Sequence, residues 1–238
     1  MSSNPPVNSI AARLTEIRQT LPANVRLIAV TKQVSIAAIR QAYEAGVRDF
    51  GESRLQEAAS KQAALQDLPG VTWHLIGHLQ TNKAAKALQQ FQWIHSIDSL
   101  KLAQRLDQLA VEQAVLPKVC LQVKLLHDPS KFGWTVSELL ADLPQLDQCR
   151  HLEIQGLMVI PPYGLQAAET QAVFDRAREL AEQIRQQGWS HLQMKELSMG
   201  MSDDYPLAIQ AGSTMIRLGR TLFGDRASQT ETERSESV

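Results

Sequence analysis

The chain has no excess of charge of either sign and no long apolar run. It carries 24 Lys and Arg against 25 Asp and Glu, so neither a basic surface for nucleic acid nor a polybasic segment for membranes is expected. No apolar run approaches the ~20 residues that a membrane span requires. Residues 1–9, MSSNPPVNS, lack a charged region followed by an apolar stretch, so no signal peptide is expected. These absences predict a soluble, cytoplasmic protein that binds neither nucleic acid nor membranes.

Cysteine is scarce, and the motifs of several enzyme classes are missing. Cys120 and Cys149 form no CxxC or Cys/His spacing, which predicts two buried thiols in a reducing cytosol. His74 and His78 are spaced as zinc ligands can be, but a strand and Gly77 replace the helix that such a pair needs, so no metal site is expected. The motifs GxSxG, GxxxxGKS/T and GxGxxG are absent, so hydrolase, P-loop and dinucleotide-binding functions have no support.

Short apolar segments alternate with longer segments of helical periodicity. Apolar residues make up 44% of the chain and charged residues 21%, which is typical of a soluble globular protein. Eight apolar segments at roughly thirty residues per unit favour a closed, parallel (β/α)8 TIM barrel over an open doubly wound sheet. The predicted strands are Arg26–Val30, Arg48–Gly51, Thr72–Ile76, Trp93–Ile97, Lys118–Val123, Glu153–Val159, Glu196–Met199 and Met215–Leu218. The predicted helices are an additional one at about Val7–Thr20 and then Ile36–Ala45, Arg54–Leu65, Lys83–Gln90, Leu100–Gln113, Val136–Leu146, Ala167–Gln187 and Tyr205–Ala211.

The two ends of the chain differ in composition from the middle. Residues 1–6 contain two prolines and small polar residues, and Ser228–Val238 has no apolar residue except the final valine. Such segments bury too little surface to offset the entropy of ordering, so both are predicted to be disordered. The barrel is predicted to be one domain over residues 7–227, with its active site at the carboxyl ends of the strands.

Lys32 follows the apolar run LIAVT directly and is predicted to emerge at that end of the barrel. An amine desolvated by the barrel wall would have a lowered pKa and could form a Schiff base with a carbonyl compound. The alternative is a surface lysine that merely ends a strand. Gly51–Arg54 and Gly77–Lys83 also follow strands and are expected to line the barrel mouth with polar groups.

Two glycine-containing turns follow the seventh and eighth predicted strands, at residues 198–202 and at Gly219–Arg220. Barrels often bind phosphate with these two loops, through backbone N–H groups that glycine allows an anion to approach. Ser198 or Ser202 could add a hydroxyl donor. The alternative is two tight turns without a ligand.

Arg217 lies within the apolar run Met215–Leu218, where a guanidinium is costly unless its N–H groups find acceptors. It could pair with a carboxylate, or donate to a ring nitrogen or an anion in the barrel mouth. Asp203 and Asp204 precede an apolar helix and are interpreted as its N-cap and first acidic residues. Metal binding by this pair has little support, since no histidine or third carboxylate is near it in sequence.

Seven fragments occur in an order that resembles the pyridoxal phosphate homeostasis protein family, whose members are related to the N-terminal barrel of alanine racemase. The resemblance covers residues 25–225. The fragments are Ala29–Lys32, Phe50–Ser53, His74–Gly77, Leu79–Lys83, Gly156–Met158, Leu197–Asp204 and Gly212–Gly219.

This resemblance implies a pyridoxal 5'-phosphate (PLP) site. Lys32 would hold PLP covalently as a Schiff base, the internal aldimine, while Ser198 and Gly219 would help to hold the phosphate. Arg217 would face the pyridine nitrogen. The sequence departs from the family pattern at Ser53, where asparagine is frequent, and at Arg220, where a small hydroxyl residue is common. The predicted cofactor-binding residues are Lys32, Ser198, Met199, Gly200, Arg217, Gly219 and Arg220.

The resemblance also implies a monomeric PLP carrier without evident catalysis, which acts in PLP homeostasis and delivers the cofactor to PLP-dependent apoenzymes. Racemization by two bases needs a second acid/base group, which alanine racemase takes from a C-terminal β domain. Here the chain ends about twenty residues after the last predicted strand, and Tyr43, Tyr163 and Tyr205 have no motif that suggests the role. A weak amino-acid racemase and a phosphate-binding barrel without PLP remain the alternatives.

Overall fold

Eight parallel strands close into a barrel in the computed structural model, which describes residues 9–224. They pair in the order β1, β2, β3, β4, β5, β7, β8, β9, and β9 pairs with β1, so the ring is complete. The two-residue β6 pairs only with β5. The strands are β1 (Arg26–Val30), β2 (Asp49–Glu52), β3 (Thr72–Leu75), β4 (Trp93–Ile97), β5 (Lys118–Lys124), β6 (Trp134–Thr135), β7 (Glu153–Met158), β8 (Leu192–Met201) and β9 (Met215–Leu218).

A helix follows each barrel strand, and one further helix precedes the first strand. The predicted TIM barrel with an additional N-terminal helix is therefore confirmed. The helices are α1 (Ile10–Thr20), α2 (Ile36–Glu44), α3 (Leu55–Ala64), α4 (Ala84–Gln90), α5 (Leu100–Gln113), α6 (Val136–Leu146), α7 (Ala167–Gln186), α8 (Tyr205–Gln210) and α9 (Arg220–Phe223), and a 3-10 turn at Thr81–Lys83 leads into α4.

Helix α5 shows why these segments are helical. The Ser99 side chain accepts a hydrogen bond from the Leu102 N–H, which satisfies one of the free donors at the helix start. Leu102, Leu106 and Leu109 recur at helical spacing and are buried in the layer between helices and strands. Burial of each such leucine stabilises the fold by about 1.5–3 kcal/mol, so packing decides where this helix lies.

The interior of the barrel is a second core, separate from the layer under the helices. Ile28, Trp93, Cys120, Met158 and Met215 form its apolar part. Polar side chains share this space and are also buried: His74, His95, Ser198 and Arg217. Because polar groups are costly in such a place unless they are hydrogen-bonded, this region is where function is expected.

Several elements differ from the sequence prediction. Strand β8 has ten residues, whereas only the four residues Glu196–Met199 were predicted. The prediction was too short because the charged Lys195 and Glu196 interrupt the apolar pattern of the strand. Strand β6 and the short helix α9 were not predicted. The cysteines are buried and unbridged, as expected, and burial raises the pKa of the Cys149 thiol to about 11 and that of Cys120 further.

The predicted disordered segments, residues 1–6 and 228–238, lie outside the described residues. Within residues 9–224, no helix has both the length and the apolar character needed to cross a bilayer.

Gly156 is the position where the barrel wall tolerates no side chain. It pairs with Cys120 on one side and with Glu196 on the other, and a Cβ atom there would overlap the Glu196 carbonyl oxygen. We predict that Gly156→Ala lowers the free energy of unfolding by about 3 kcal/mol, the upper end for overpacked cores. Urea unfolding measures this, with Gln155→Ala on the same strand as the control. Equal stability of the two variants would contradict the prediction.

Candidate cofactor site

The first and last strands of the barrel are neighbours, and this brings Lys32 near the turn after β9. The register pairs Ala29 with Leu218, so Lys32 and Gly219 leave the barrel at the same rim. The Lys32 side chain is exposed, and within residues 9–224 no hydrogen bond or ion pair engages its amine. The predicted desolvation of Lys32 by the barrel wall is therefore wrong, but its predicted place at the carboxyl end of β1 is confirmed.

A cluster of three charged residues lies behind Lys32, and we call it the Lys61 cluster (Lys61, Glu52 and Glu57). Lys61 and Glu52 are buried, and Glu57 is half-buried. Nζ of Lys61 donates to Oε1 of Glu52 at 2.7 Å and to Oε1 of Glu57 at 2.6 Å. It also donates to the Thr31 carbonyl oxygen at 2.5 Å. Burial raises the pKa of the Glu52 carboxyl, against the opposing hydrogen bonds from Lys61 and Thr31. For Glu57 burial also acts upward, but the bonds from Lys61 and the backbone outweigh it and lower the pKa.

The Lys61 cluster holds the backbone on both sides of Lys32. Thr31 is bonded through its carbonyl to Lys61 and through Oγ1 to Glu52 at 2.5 Å. The N–H of Gln33, a residue with a positive φ of 59°, donates to Oε1 of Glu57 at 2.5 Å. These bonds fix the backbone turn that carries Lys32. The Lys32 side chain itself makes no hydrogen bond or ion pair with any described residue. Sequence reasoning missed this arrangement, for which the Glu–Lys spacing of four residues in α3 was the available signal.

The loops after β8 and β9 meet at the same rim. The N–H of Thr221 in α9 points at Oγ of Ser202, at 3.4 Å, and Arg220 forms an exposed ion pair with Asp203 at 2.5 Å. Gly219 precedes α9, so the first N–H groups of that helical turn are directed to the rim. Backbone N–H groups of this kind suit an anion.

The prediction that the side chains of Asp203 and Asp204 cap helix α8 is wrong. Asp204 occupies the N-cap position of α8, but its Oδ1 accepts from the Met201 N–H at 2.6 Å and not from the helix. Asp203 pairs with Arg220 instead. Both side chains therefore join the β8 loop to its surroundings.

Three predicted residues of the β8 segment point away from this rim. Ser198 is fully buried inside the barrel, and Met199 is fully buried in the apolar layer. Gly200 has a φ of 95°, and a Cβ atom there would come within 2.6 Å of Cβ of Ala208, so it serves the packing of α8. The serine of this segment that reaches the loop after β9 is Ser202. Ser198 bonds to Arg217 and His95 in the interior, and its contact with a phosphate stays a prediction.

Arg217 has neutral partners. Its Nη1 donates to Oγ of Ser198 at 2.7 Å and its Nη2 donates to the Val159 carbonyl at 3.1 Å. Among the described residues, no carboxylate is therefore hydrogen-bonded to Arg217. Burial lowers the pKa of the guanidinium to about 10, which is still far above neutrality, so the group stays charged.

Two buried histidines continue from Ser198 across the barrel. His95 bonds to Ser198 through Nδ1 at 2.8 Å and to Nδ1 of His74 through Nε2 at 2.9 Å. His74 in turn bonds through Nε2 to Oδ1 of Asp49 at 2.9 Å. His78 is not part of this set, since it stacks on Phe132 and contacts Asp98. Sequence reasoning did not find the pairing of His74 with His95, whose only signal was a polar residue inside each of two apolar strands.

The remaining predicted site residues form a donor set that fits PLP. Lys32 offers a free amine for an aldehyde, the turn of Gly219 and Arg220 offers backbone N–H groups for a phosphate, and Arg217 offers a charged donor. All three elements belong to adjacent strands at one rim. Within residues 9–224, no group of three or more metal-ligating side chains is assembled.

Comparison with known proteins agrees with this geometry. The family model described as alanine racemase, N-terminal domain, matches residues 7–227. A pyridoxal phosphate homeostasis protein of Synechocystis sp. is 53% identical over 212 residues, which are 89% of this chain and 96% of that protein.

Solved structures give the same result. PipY of Synechococcus elongatus, solved with PLP bound, is 56% identical with a TM-score of 0.87, over 91% of this chain and 100% of PipY. An alanine racemase of Clostridium difficile shares only the fold, with 13% identity and a TM-score of 0.72 over 91% of this chain and 56% of that one. The chain belongs to the alanine racemase N-terminal domain family and, within it, to the pyridoxal phosphate homeostasis proteins.

Proposed function

We propose that this protein binds PLP reversibly at the carboxyl rim of the barrel, with Lys32 as the covalent attachment point, and acts in PLP homeostasis. The observation that carries the proposal is the free amine of Lys32 beside the turn after β9, on neighbouring strands. The names of the relatives support it, as does the PLP found in PipY.

Each residue of the rim has a role in this proposal. Lys32 would bind the aldehyde carbon, with release of one water molecule. Gly219 and Arg220 would hold the phosphate through backbone N–H groups, with Ser202 beside them. Arg217 would donate to the ring nitrogen. When bound, PLP supplies an aldehyde conjugated with an electron-withdrawing ring.

Two features of the site favour a carrier over a catalyst, and the arginine at the ring nitrogen alone does not separate the two. A charged arginine donates a hydrogen bond and leaves the nitrogen unprotonated, so the ring is a weaker electron sink than it would be beside an aspartate. A second acid/base group is not held near the amine by any of the three tyrosines. Tyr43 donates to the Pro69 carbonyl on the outside of the barrel, Tyr163 is fully exposed, and Tyr205 begins α8. We also propose that the protein is a cytoplasmic monomer and that it delivers PLP to PLP-dependent apoenzymes.

We predict that purified protein supplied with PLP develops a visible absorbance band, which borohydride converts into a stable adduct on Lys32. Lys32→Ala should lose both the band and the adduct, because the other amine at the end of β1, that of Lys61, is buried and bonded to Glu52, Glu57 and the Thr31 carbonyl. Lys83→Ala, which removes an exposed lysine on the loop after β3, is the matched control and should keep both. Absorbance spectra before and after borohydride, followed by peptide mapping, measure this.

A blank spectrum in the unmodified protein would refute the proposed function and favour a phosphate-binding barrel without PLP. An adduct on another lysine would show that Lys32 is not the attachment point.

We predict no interconversion of L- and D-amino acids by the PLP-loaded protein. Chiral chromatography after prolonged incubation measures it, and free PLP at the same concentration is the control for slow uncatalysed racemization. Turnover above that control that disappears in Lys32→Ala would overturn the carrier assignment and establish a weak racemase.

A further inference from the structure

Five side chains form a continuous hydrogen-bonded series through the barrel, and we call it the interior chain (Asp49, His74, His95, Ser198 and Arg217). Its members come from β2, β3, β4, β8 and β9. The four links are between 2.7 and 2.9 Å long. The link between His95 and Ser198 crosses the interior, because β4 and β8 are not neighbours in the ring.

The number of available protons fixes the direction of every link. Arg217 can only donate, and the carboxylate of Asp49 can only accept. The three links between Ser198 and Asp49 then need one proton each, and Ser198 and two neutral imidazoles supply one each. The hydroxyl of Ser198 therefore donates to Nδ1 of His95, Nε2–H of His95 donates to Nδ1 of His74, and Nε2–H of His74 donates to Asp49.

The surroundings of the two imidazoles agree with this assignment. Burial keeps the pKa of His95 well below its usual value, and the charges of Arg217 and Arg26 act in the same direction. Burial also lowers the pKa of His74, although Asp49 opposes the shift. While the Ser198 hydroxyl donates to His95, a further proton on either ring would place two protons in one link. Both rings are thus held neutral as Nε2–H tautomers.

The interior chain gives the charge of Arg217 no hydrogen-bonded carboxylate, and the carboxylate of Asp204 acts on it only at longer range. Two of its five N–H groups are bonded, and both acceptors, Ser198 and the Val159 carbonyl, are neutral. The carboxylate that ends the chain, Asp49, lies three links from Ser198, at the start of β2. A direct carboxylate partner would hold the guanidinium equally well but would offset its charge there.

Resting on the proposed function, which places Arg217 at the ring nitrogen, we infer that His95 and His74 are positioning residues. They orient Ser198 as a neutral acceptor, Ser198 fixes the guanidinium of Arg217, and the charged donor remains directed at the ring. Both histidines reach Arg217 only through Ser198, so they would act on a bound cofactor through that arginine.

The first test needs no cofactor. Nitrogen-15 NMR of the imidazoles in the PLP-free protein should show both His74 and His95 as neutral Nε2–H tautomers, also at pH values below about 6.5, where an exposed histidine is protonated. An Nδ1–H tautomer or a protonated ring at either position would overturn the inference. This result stands even if the protein binds no PLP, so failure of the inference and failure of the proposed function are distinguishable.

The second test reads the cofactor environment in the PLP-loaded protein. His95→Leu should keep the borohydride adduct on Lys32 but shift the absorbance maximum and its pH dependence, and weaken PLP binding by up to roughly tenfold, as expected for one lost hydrogen bond. His95→Gln retains an acceptor and a donor and should restore the normal spectrum. Met158→Leu, a change in the apolar part of the same interior, is the matched control and should leave the spectrum unchanged.

If His95→Leu does not fold, Ser198→Ala removes a single oxygen atom from the same chain and should produce the same spectral shift. A normal spectrum and normal affinity in the folded His95→Leu variant, or in Ser198→Ala in its place, would overturn the inference. So would a spectral shift of equal size in Met158→Leu.

Discussion

The pairing of β1 with β9 is the constraint on which the rest of the structure depends. It joins the first and last strands of the barrel, so that Lys32 and Gly219, which are far apart in sequence, lie at one rim. Neither segment alone distinguishes this chain from any other barrel. A lysine at a strand end is common, and a glycine before a short helix is common. Closure of the barrel places Lys32 and Gly219 on one surface. Arg217 lies one residue before the end of β9, just inside that surface.

Charged groups are buried on both sides of this rim, and each has hydrogen-bonding partners. Lys61 pairs with Glu52 behind Lys32, and the interior chain accepts a hydrogen bond from Arg217. Breaking a buried pair by removal of one partner typically costs about 3–5 kcal/mol. The two networks therefore fix the backbone at Lys32 and the guanidinium at Arg217, and the amine itself is left free to react. A rigid support with one mobile group suits a protein that must take up a reactive aldehyde and give it back.

Much of this fold could be predicted from the sequence, since short apolar segments alternate with segments of helical periodicity and Lys32 directly follows one of the apolar segments. The orientation of the Ser198 side chain could not be predicted, and the reason is physical. The strand was predicted to end at Met199, but β8 continues to Met201, so Ser198 faces the interior and Ser202 reaches the rim. The bond between His74 and His95 joins different strands, and that between His95 and Ser198 crosses the barrel, so no local pattern contains them.

The central claim is that one ligand engages both the Lys32 amine and the turn after β9. Equilibrium titration of the protein with PLP and with pyridoxal, which has the same aldehyde and no phosphate, tests it most directly. The account predicts that PLP binds at least roughly tenfold more tightly, since charge-assisted hydrogen bonds to an anion contribute more than the ~1.4 kcal/mol that this factor represents. Equal affinities for the two compounds would contradict it.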